Sequence, residues 1–291
     1  MISAVTPAIA YQGEPGSNSH IACTEVFPAW DAIPCASFED AFAEVTTGRA
    51  QRAMIPIDNS IAGRVADIHA LLPETRLRIV GEHFLRIRFD LLAVPGTTLE
   101  QVREVHSHIH ALGQCRAFIR QHGLVPVIAG DTAGSAREVA EWNDPAKASL
   151  APPLAAPMYG LDVLATEVED DPTNTTRFVL LADDQSLSSR EHLSPNVITS
   201  FVFQVRNVPA SLYKALGGFA TNGVNMIRLE SYMVGGQFAA TKFMVDVEGH
   251  PEDAPLMRAF DELGFFATDV RILGVYAAHP FRSRGAQDPV R

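Results

Sequence analysis

Between residue 8 and about residue 182, short apolar or β-branched runs alternate with stretches of helical period, a rhythm that confines the chain to an α/β fold built on mostly parallel sheets. The clearest strands are "AIAYQG", "RAMIPI", "VPVIAG" and "RFVLLA". Between them "SFEDAFAEVTTG" has a capping Ser37, acidic residues in its first turn and Gly48 at its end, while "DTAGSAREVAEW" opens on a capping Asp131. Both spacings predict helices. The run from Leu77 to Val94, "LRIVGEHFLRIRFDLLAV", is too long for one strand and alternates at period two from Arg86 to Phe89, which predicts two strands or one extended crossing element. Such a crossing fits two α/β lobes with a cleft between them, the usual place for a small ligand.

Residues 184 to 195, "DQSLSSREHLSP", are polar, serine-rich and end in proline, and read as a linker. After it, "VITSFVFQVR" predicts a strand, and "VPASLYKALGGFATNG" a helix that opens on Pro209, carries Leu212, Leu216 and Phe219 on one face and stops at Asn222 and Gly223. "VNMIRLESYMV" and "FAATKFMVDVEG" read as strands joined by a tight "GGQ" turn. "PEDAPLMRAFDELG" reads as a helix stopped by Gly264, and "FFATDVRILGVY" as a last strand. The order βαββαβ is that of a ferredoxin-like unit. The expected organisation is therefore two α/β lobes over 1–185, a linker over 186–197, a second domain over 198–278 and a tail over 279–291.

At 291 residues, with 47% hydrophobic and 20% charged residues, the composition is that of a soluble globular protein of about two domains. A net charge of −11 would repel phosphate backbones and anionic lipid, so neither nucleic acid nor membrane is an expected partner. The opening "MISAVTPAIA" lacks the basic and apolar regions of a secretory signal, and no apolar window reaches spanning length, so a cytoplasmic protein is expected. Cys23, Cys35 and Cys115 are odd in number and show no CxxC spacing, which predicts free thiols and no structural zinc.

Candidate binding groups gather where strands end. The loop Gly13 to Ser19 lacks the lysine and spacing of a nucleotide-phosphate loop. It is either a glycine turn or, through the hydroxyls of Ser17 and Ser19 and the free amides of a following helix, a carboxylate site. "PIDNSIAGRV" puts Asp58, Asn59, Ser60 and Gly63 just after an apolar strand, as a capped loop or a ligand loop. "SHIHALGQC" holds Ser107, His108 and His110; the histidine pair has no third ligand at a suitable spacing, so no metal is expected. "GDTAGSA" sets Thr132 and Gly134 at a helix start, where amides are unpaired. "NTTRFVLLA" clusters Asn174, Thr176 and Arg177 before an apolar strand, and its guanidinium could clamp a carboxylate or form an ordinary salt bridge. Together these groups suit a small polycarboxylate. No Ser-His-Asp or Cys-His pattern accompanies them.

In that order, "YQGEPGSNSH", "PIDNS", "SHIHALGQC", "DTAGSA", "YGLDVLATEVEDDPTNTTRF" and a βαββαβ tail with "LESY" resemble the prephenate dehydratases that carry a C-terminal ACT regulatory domain, over nearly the whole chain. The resemblance is to the monofunctional bacterial form, with no chorismate mutase stretch. It implies a two-lobed catalytic domain of type II periplasmic-binding-protein kind followed by the ferredoxin-like ACT domain. It implies, without cofactor or metal, the conversion of prephenate to phenylpyruvate with loss of water and carbon dioxide. "NTTRF" is similar to the family's Asn-x-Thr-Arg-Phe signature, which makes Thr176 the catalytic residue. The same resemblance implies substrate binding by Arg177, Asn59, Ser60, Ser107, Thr132, Gly134, Ser17 and Asn174.

The ACT resemblance implies L-phenylalanine as effector, held at Ala210, Ser211, Leu212, Asn225, Glu230 and Ser231 at a dimer interface, and a homodimer or homotetramer formed through these domains. The sequence departs from the family's usual pattern at Asp58, where glutamate is common, and at Ile109 and His110, where proline and glutamine are common. It also departs at Ala210, where glycine is common, and at Tyr232 and Met233, which replace arginine and proline. Arogenate, the amino-acid analogue, is the alternative substrate. A non-enzymatic amino-acid sensor is the alternative of another class.

Overall fold

A computed structural model describes residues 6–184, 193, 196–233 and 240–285. In chain order the first elements are β1 (Ala8–Gln12), α1 (Asn18–Val26), β2 (Asp31–Cys35), α2 (Phe38–Thr46), β3 (Arg52–Asn59), β4 (Gly63–Arg64), α3 (Ala66–Leu71) and β5 (Arg78–Arg86). They are followed by β6 (Asp90–Ala93), β7 (Glu104–Ser107), α4 (Ile109–Gln114), α5 (Arg116–Gln121), β8 (Val125–Ile128), α6 (Thr132–Trp142), β9 (Lys147–Ala151), α7 (Ala155–Tyr159), β10 (Asp162–Ala165) and β11 (Thr175–Ala182). The last are β12 (Val197–Val205), α8 (Ser211–Thr221), β13 (Met226–Met233), β14 (Ala240–Glu248), α9 (Ala254–Phe266), β15 (Ala267–Ala277) and α10 (Phe281–Gly285). The alternation predicted an α/β chain, and the structure is one. No helix of the described residues is long and apolar enough to cross a membrane.

The chain forms two compact units, one of residues 1–65 and 83–178, the other of residues 66–82 and 179–291. In the first, β1 lies between β2 and β3, parallel to both, with the start of β11 beside β3. A separate five-stranded sheet runs β10-β6-β9-β7-β8. The long run from Leu77 divides into β5 and β6, the first of the two alternatives read from its length. β1 and residues 53–57 of β3 are largely buried, with α1 and α2 packed against both strands, and this is why these stretches read as apolar runs. The caps hold as predicted: Ser37 accepts from the Asp40 amide and Asp131 from the Gly134 amide. Cys23, Cys35 and Cys115 are buried free thiols, and burial raises the pKa of each.

The second unit orders its strands β13-β14-β12-β15-β5. α8 and α9 pack Phe219, Leu256 and Leu263 against Phe201, Phe203 and Phe243 of the sheet, and the Phe201 and Phe219 rings stack with centroids 5.6 Å apart. Each such ring removed from water contributes about 2–3 kcal/mol. β15 meets β5 at Gly274 opposite Ile79, where a Cβ would strike the Ile79 carbonyl oxygen and lie 2.7 Å from its Cβ; only glycine lets the strands approach so closely.

Two expectations change. Gly264 does not stop α9, which continues through Phe265 and Phe266; its φ is not positive, so it is an interior helical residue, and the helix ends where β15 begins. α8 starts at Ser211, two residues after Pro209, with Ala210 left-handed at φ 62° before it. The tail contains α10. Of the expected linker, residues 186–192 and 194–195 lie outside the described residues, as does the "GGQ" turn, and Val197 already belongs to β12. β5 and β11 are both shared, because the chain passes from one unit to the other within each.

Candidate functional site

Thr176 sits in β11 beside the end of β3, 8% exposed, at the end of a chain of side-chain amides. Asn59 at the end of β3 donates both Nδ2 hydrogens, one to the Thr176 Oγ1 at 2.9 Å and one to the Asn174 Oδ1 at 2.8 Å. The Asn174 Nδ2 donates in turn to the Gln114 Oε1 at 2.8 Å. The backbone fixes the direction of this chain: the amides of Ile61 and Ala62 both donate to the Asn59 Oδ1, so that atom must be oxygen and the other nitrogen. Thr176 therefore accepts from Asn59. Its own hydroxyl hydrogen meets no acceptor among the described residues and is left to donate outward. Ser60 braces the same place, its amide donating to the Thr175 carbonyl and its hydroxyl accepting from the Thr175 amide, each at 2.9 Å.

Gln114 is a site residue that the motifs did not single out. It ends α4, one turn after His110 in "SHIHALGQC", and Asp170 ties that end down by accepting from the amides of Arg116 and Ala117.

Successive side chains of a strand point to opposite faces, and Arg177 accordingly lies on the other side of β11 from Thr176. Its guanidinium is 3.6 Å from the Asp58 carboxylate, and Asp58 lies on the other side of β3 from Asn59. The two strands thus present Asn59 with Thr176 on one face and Asp58 with Arg177 on the other. Of the two readings for Arg177, the salt bridge is the arrangement found, and the side chain is only 7% exposed. Asp58, which stands where the resemblance led us to expect glutamate, reaches the arginine.

The loop at 13–17 is held in place by its glycines. Gly16 has φ 87°, and a Cβ there would lie 2.9 Å from the Ala155 Cα, so α7 packs directly on the loop. Tyr159 donates its hydroxyl to the Pro15 carbonyl at 2.7 Å. Ser17 caps α1 by accepting from the His20 amide and stays half-buried with its hydroxyl hydrogen available. Thr132 opens α6 half-buried. The Gly134 amide is not open to a ligand as expected, because it donates to the Asp131 carboxylate at 2.6 Å, and that carboxylate places negative charge at the helix start. Ser107 is fully buried and donates to the Leu150 carbonyl at 2.6 Å, bracing β7 against β9. His108 caps α4 by accepting from the His110 amide, and burial followed by the neighbouring His110 lowers its pKa, which favours the neutral, accepting form. No cluster of three or more potential metal ligands occurs among the described residues.

In the second unit Ala210, Ser211 and Leu212 form the start of α8, with Leu212 packed toward the core. Asn225 precedes β13 and donates to the Glu248 carboxylate at 3.0 Å. Glu230 and Ser231 lie on β13, opposite Met244 and Phe243 of β14.

A family model described as prephenate dehydratase matches residues 9–186. A protein of Komagataeibacter europaeus named bifunctional N-acyl-homoserine lactone acylase/prephenate dehydratase is 50% identical over 276 residues, 95% of this chain and 98% of that one. Arogenate dehydratase/prephenate dehydratase 2 of Arabidopsis thaliana is 36% identical over 92% of this chain and 72% of its own. The crystal structure of the prephenate dehydratase of Arthrobacter aurescens, solved with L-Phe, superposes with a TM-score of 0.84 at 31% identity, over 98% of this chain and 92% of that one.

Proposed function

The chain belongs to the prephenate dehydratase family, and from that premise we propose that Thr176 donates the hydrogen bond on which departure of the ring hydroxyl depends. The activity is that of a lyase on the route to phenylalanine: prephenate loses water and carbon dioxide and becomes phenylpyruvate. The observation that carries the role of Thr176 is the direction of the amide chain, which fills the hydroxyl's acceptor side and leaves its hydrogen for a ligand. In the reaction the C–O bond breaks with its electron pair, and the ring carboxylate leaves as carbon dioxide while its bonding pair completes the aromatic ring. The departing oxygen takes up one proton through Thr176, and solvent restores it. Aromatisation supplies a large driving force, so positioning does much of the work. A threonine hydroxyl is too weak an acid to be a tuned general acid, and it acts as a fixed donor.

Asn59, Ser60 and Asn174 hold Thr176. Ser17 and Thr132 supply hydroxyls for the substrate's carboxylates, and Ser107 shapes the strand end beneath them. Arg177 acts through Asp58, keeping the end of β3 in register, so that its part in substrate binding is indirect. We read the two sheets of the first unit as the lobes of a type II binding-protein fold, and β12 to β15 with α8 and α9 as an ACT domain.

The L-Phe in the Arthrobacter structure supports phenylalanine as effector here, and its site is proposed at Ala210, Ser211, Leu212, Asn225, Glu230 and Ser231. Exposed Leu229 and Met233 on β13 and Phe265 on α9 support pairing of two or four chains through these domains. Titration calorimetry with phenylalanine is expected to give saturable heat, and none at millimolar ligand would remove the effector.

A second reading for the catalytic unit, hydrolysis of an N-acyl-homoserine lactone, is favoured by the 50% identity to the Komagataeibacter protein. A substrate panel separates the readings. Purified chain given prephenate, arogenate and N-decanoyl-homoserine lactone in turn is expected to yield phenylpyruvate from the first fastest. Faster turnover of arogenate would make that the substrate, release of free homoserine lactone would add the acylase, and no product from any would leave an amino-acid sensor.

A further inference from the structure

The groove between α4, α5 and β8 carries chemistry that the lyase reaction does not use. Its apolar walls are Ile109, Leu112, Ile119, Leu124, Pro126 and Ile128, and it holds about 610 Å³, within the range of small-ligand sites. Ile109 and Ile128 keep 54% and 67% of their surface in water although both belong to regular elements. At the rim stand Arg116 and Arg120, four residues apart on α5 and therefore on one side of it. Both are exposed, and neither guanidinium meets a carboxylate or another acceptor among the described residues. In a chain with 34 acidic residues against 23 basic, two arginines left without a partner at the edge of an apolar groove are a distinct feature.

β8 is the edge strand of its sheet, yet it is poorly made for adding another strand. The amides of Val125 and Ala129 donate inward to the carbonyls of Arg103 and Ser107, so Pro126 occupies an outward-facing amide position and has no hydrogen to give. What fits instead is a molecule recognised by side chains, with an apolar length for the walls and an anionic head for the rim. Paired guanidiniums match a carboxylate best.

We propose that this groove binds a medium-chain fatty acid, its hydrocarbon along the isoleucine and leucine walls and its carboxylate between Arg116 and Arg120. Titration calorimetry of the full chain with sodium decanoate below its micellar concentration, beside decyltrimethylammonium bromide, tests it. Decanoate is expected to bind saturably and the cation at least tenfold more weakly. The double variant Arg116→Gln, Arg120→Gln should lose at least tenfold in decanoate affinity while turning over prephenate within twofold of the parent. Ile128→Ser should weaken decanoate as well. Equal affinity in the double variant, equal binding of the cation, or no saturable binding by the parent chain, which is also what a second copy seated in the groove would give, each overturns the proposal.

Discussion

Replacing Thr176 by alanine is expected to lower kcat by about two to four orders of magnitude, a loss of about 3–5 kcal/mol of transition-state stabilisation. The fold should survive, because Asn59 keeps its bond to Asn174 and its two backbone donors when the threonine oxygen is gone. One modest hydrogen bond is lost, about 1 kcal/mol. Thr176→Ser should retain most of the rate, since serine keeps the oxygen that Asn59 addresses. Thr176→Val, which preserves shape and removes the hydroxyl, should fail as alanine does. The readout is phenylpyruvate formation beside a melting curve. Near-normal turnover in Thr176→Val would remove the hydroxyl from the mechanism, whereas a collapse of the melting temperature would make the residue structural.

The largest effect on stability is expected at Arg282. Its Nε and one terminal nitrogen grip both oxygens of Glu82 at 2.6 and 2.7 Å, the Glu82 side chain has no exposure, and the His279 amide donates to the same carboxylate at 3.0 Å. Removing one partner of a buried pair costs about 3–5 kcal/mol because the other charge stays desolvated. Arg282→Ala should therefore lower the stability of the second unit by that order, measured as the denaturant midpoint of its transition. Glu82→Gln, which removes the buried charge and keeps a hydrogen-bonding amide, should cost less. An unchanged midpoint for Arg282→Ala would mean that the grip adds nothing to the unit.

Strand and helix identities were legible because they rest on local pattern: apolar runs, capping residues and the period of each segment. The amide chain was only partly legible. Asn59, Asn174 and Thr176 stood out at strand ends, but Gln114 reaches Asn174 across 60 residues of sequence, and no local rule pairs them. The opposite facing of Thr176 and Arg177 follows from strand alternation alone and was available from their adjacency. So was the occupation of the Gly134 amide, since a capping aspartate ordinarily accepts from the residue three further on. Gly264 misled because glycine terminates a helix through its backbone angles, and those are decided by the packing of the following residues.

β11 has one further consequence. Thr176 lies in the first compact unit and Val179, three residues on in the same strand, in the second. Three residues of pleated strand span about 10 Å and scarcely stretch, so the strand behaves as a rod whose far end is clamped elsewhere. The tolerance on the hydroxyl's position is then set partly by how firmly Val179 to Ala182 are seated. Because a displacement of about 1 Å can cost a hundredfold in rate, faults in that seating would surface as slow turnover with unaltered substrate affinity, in residues that never touch prephenate.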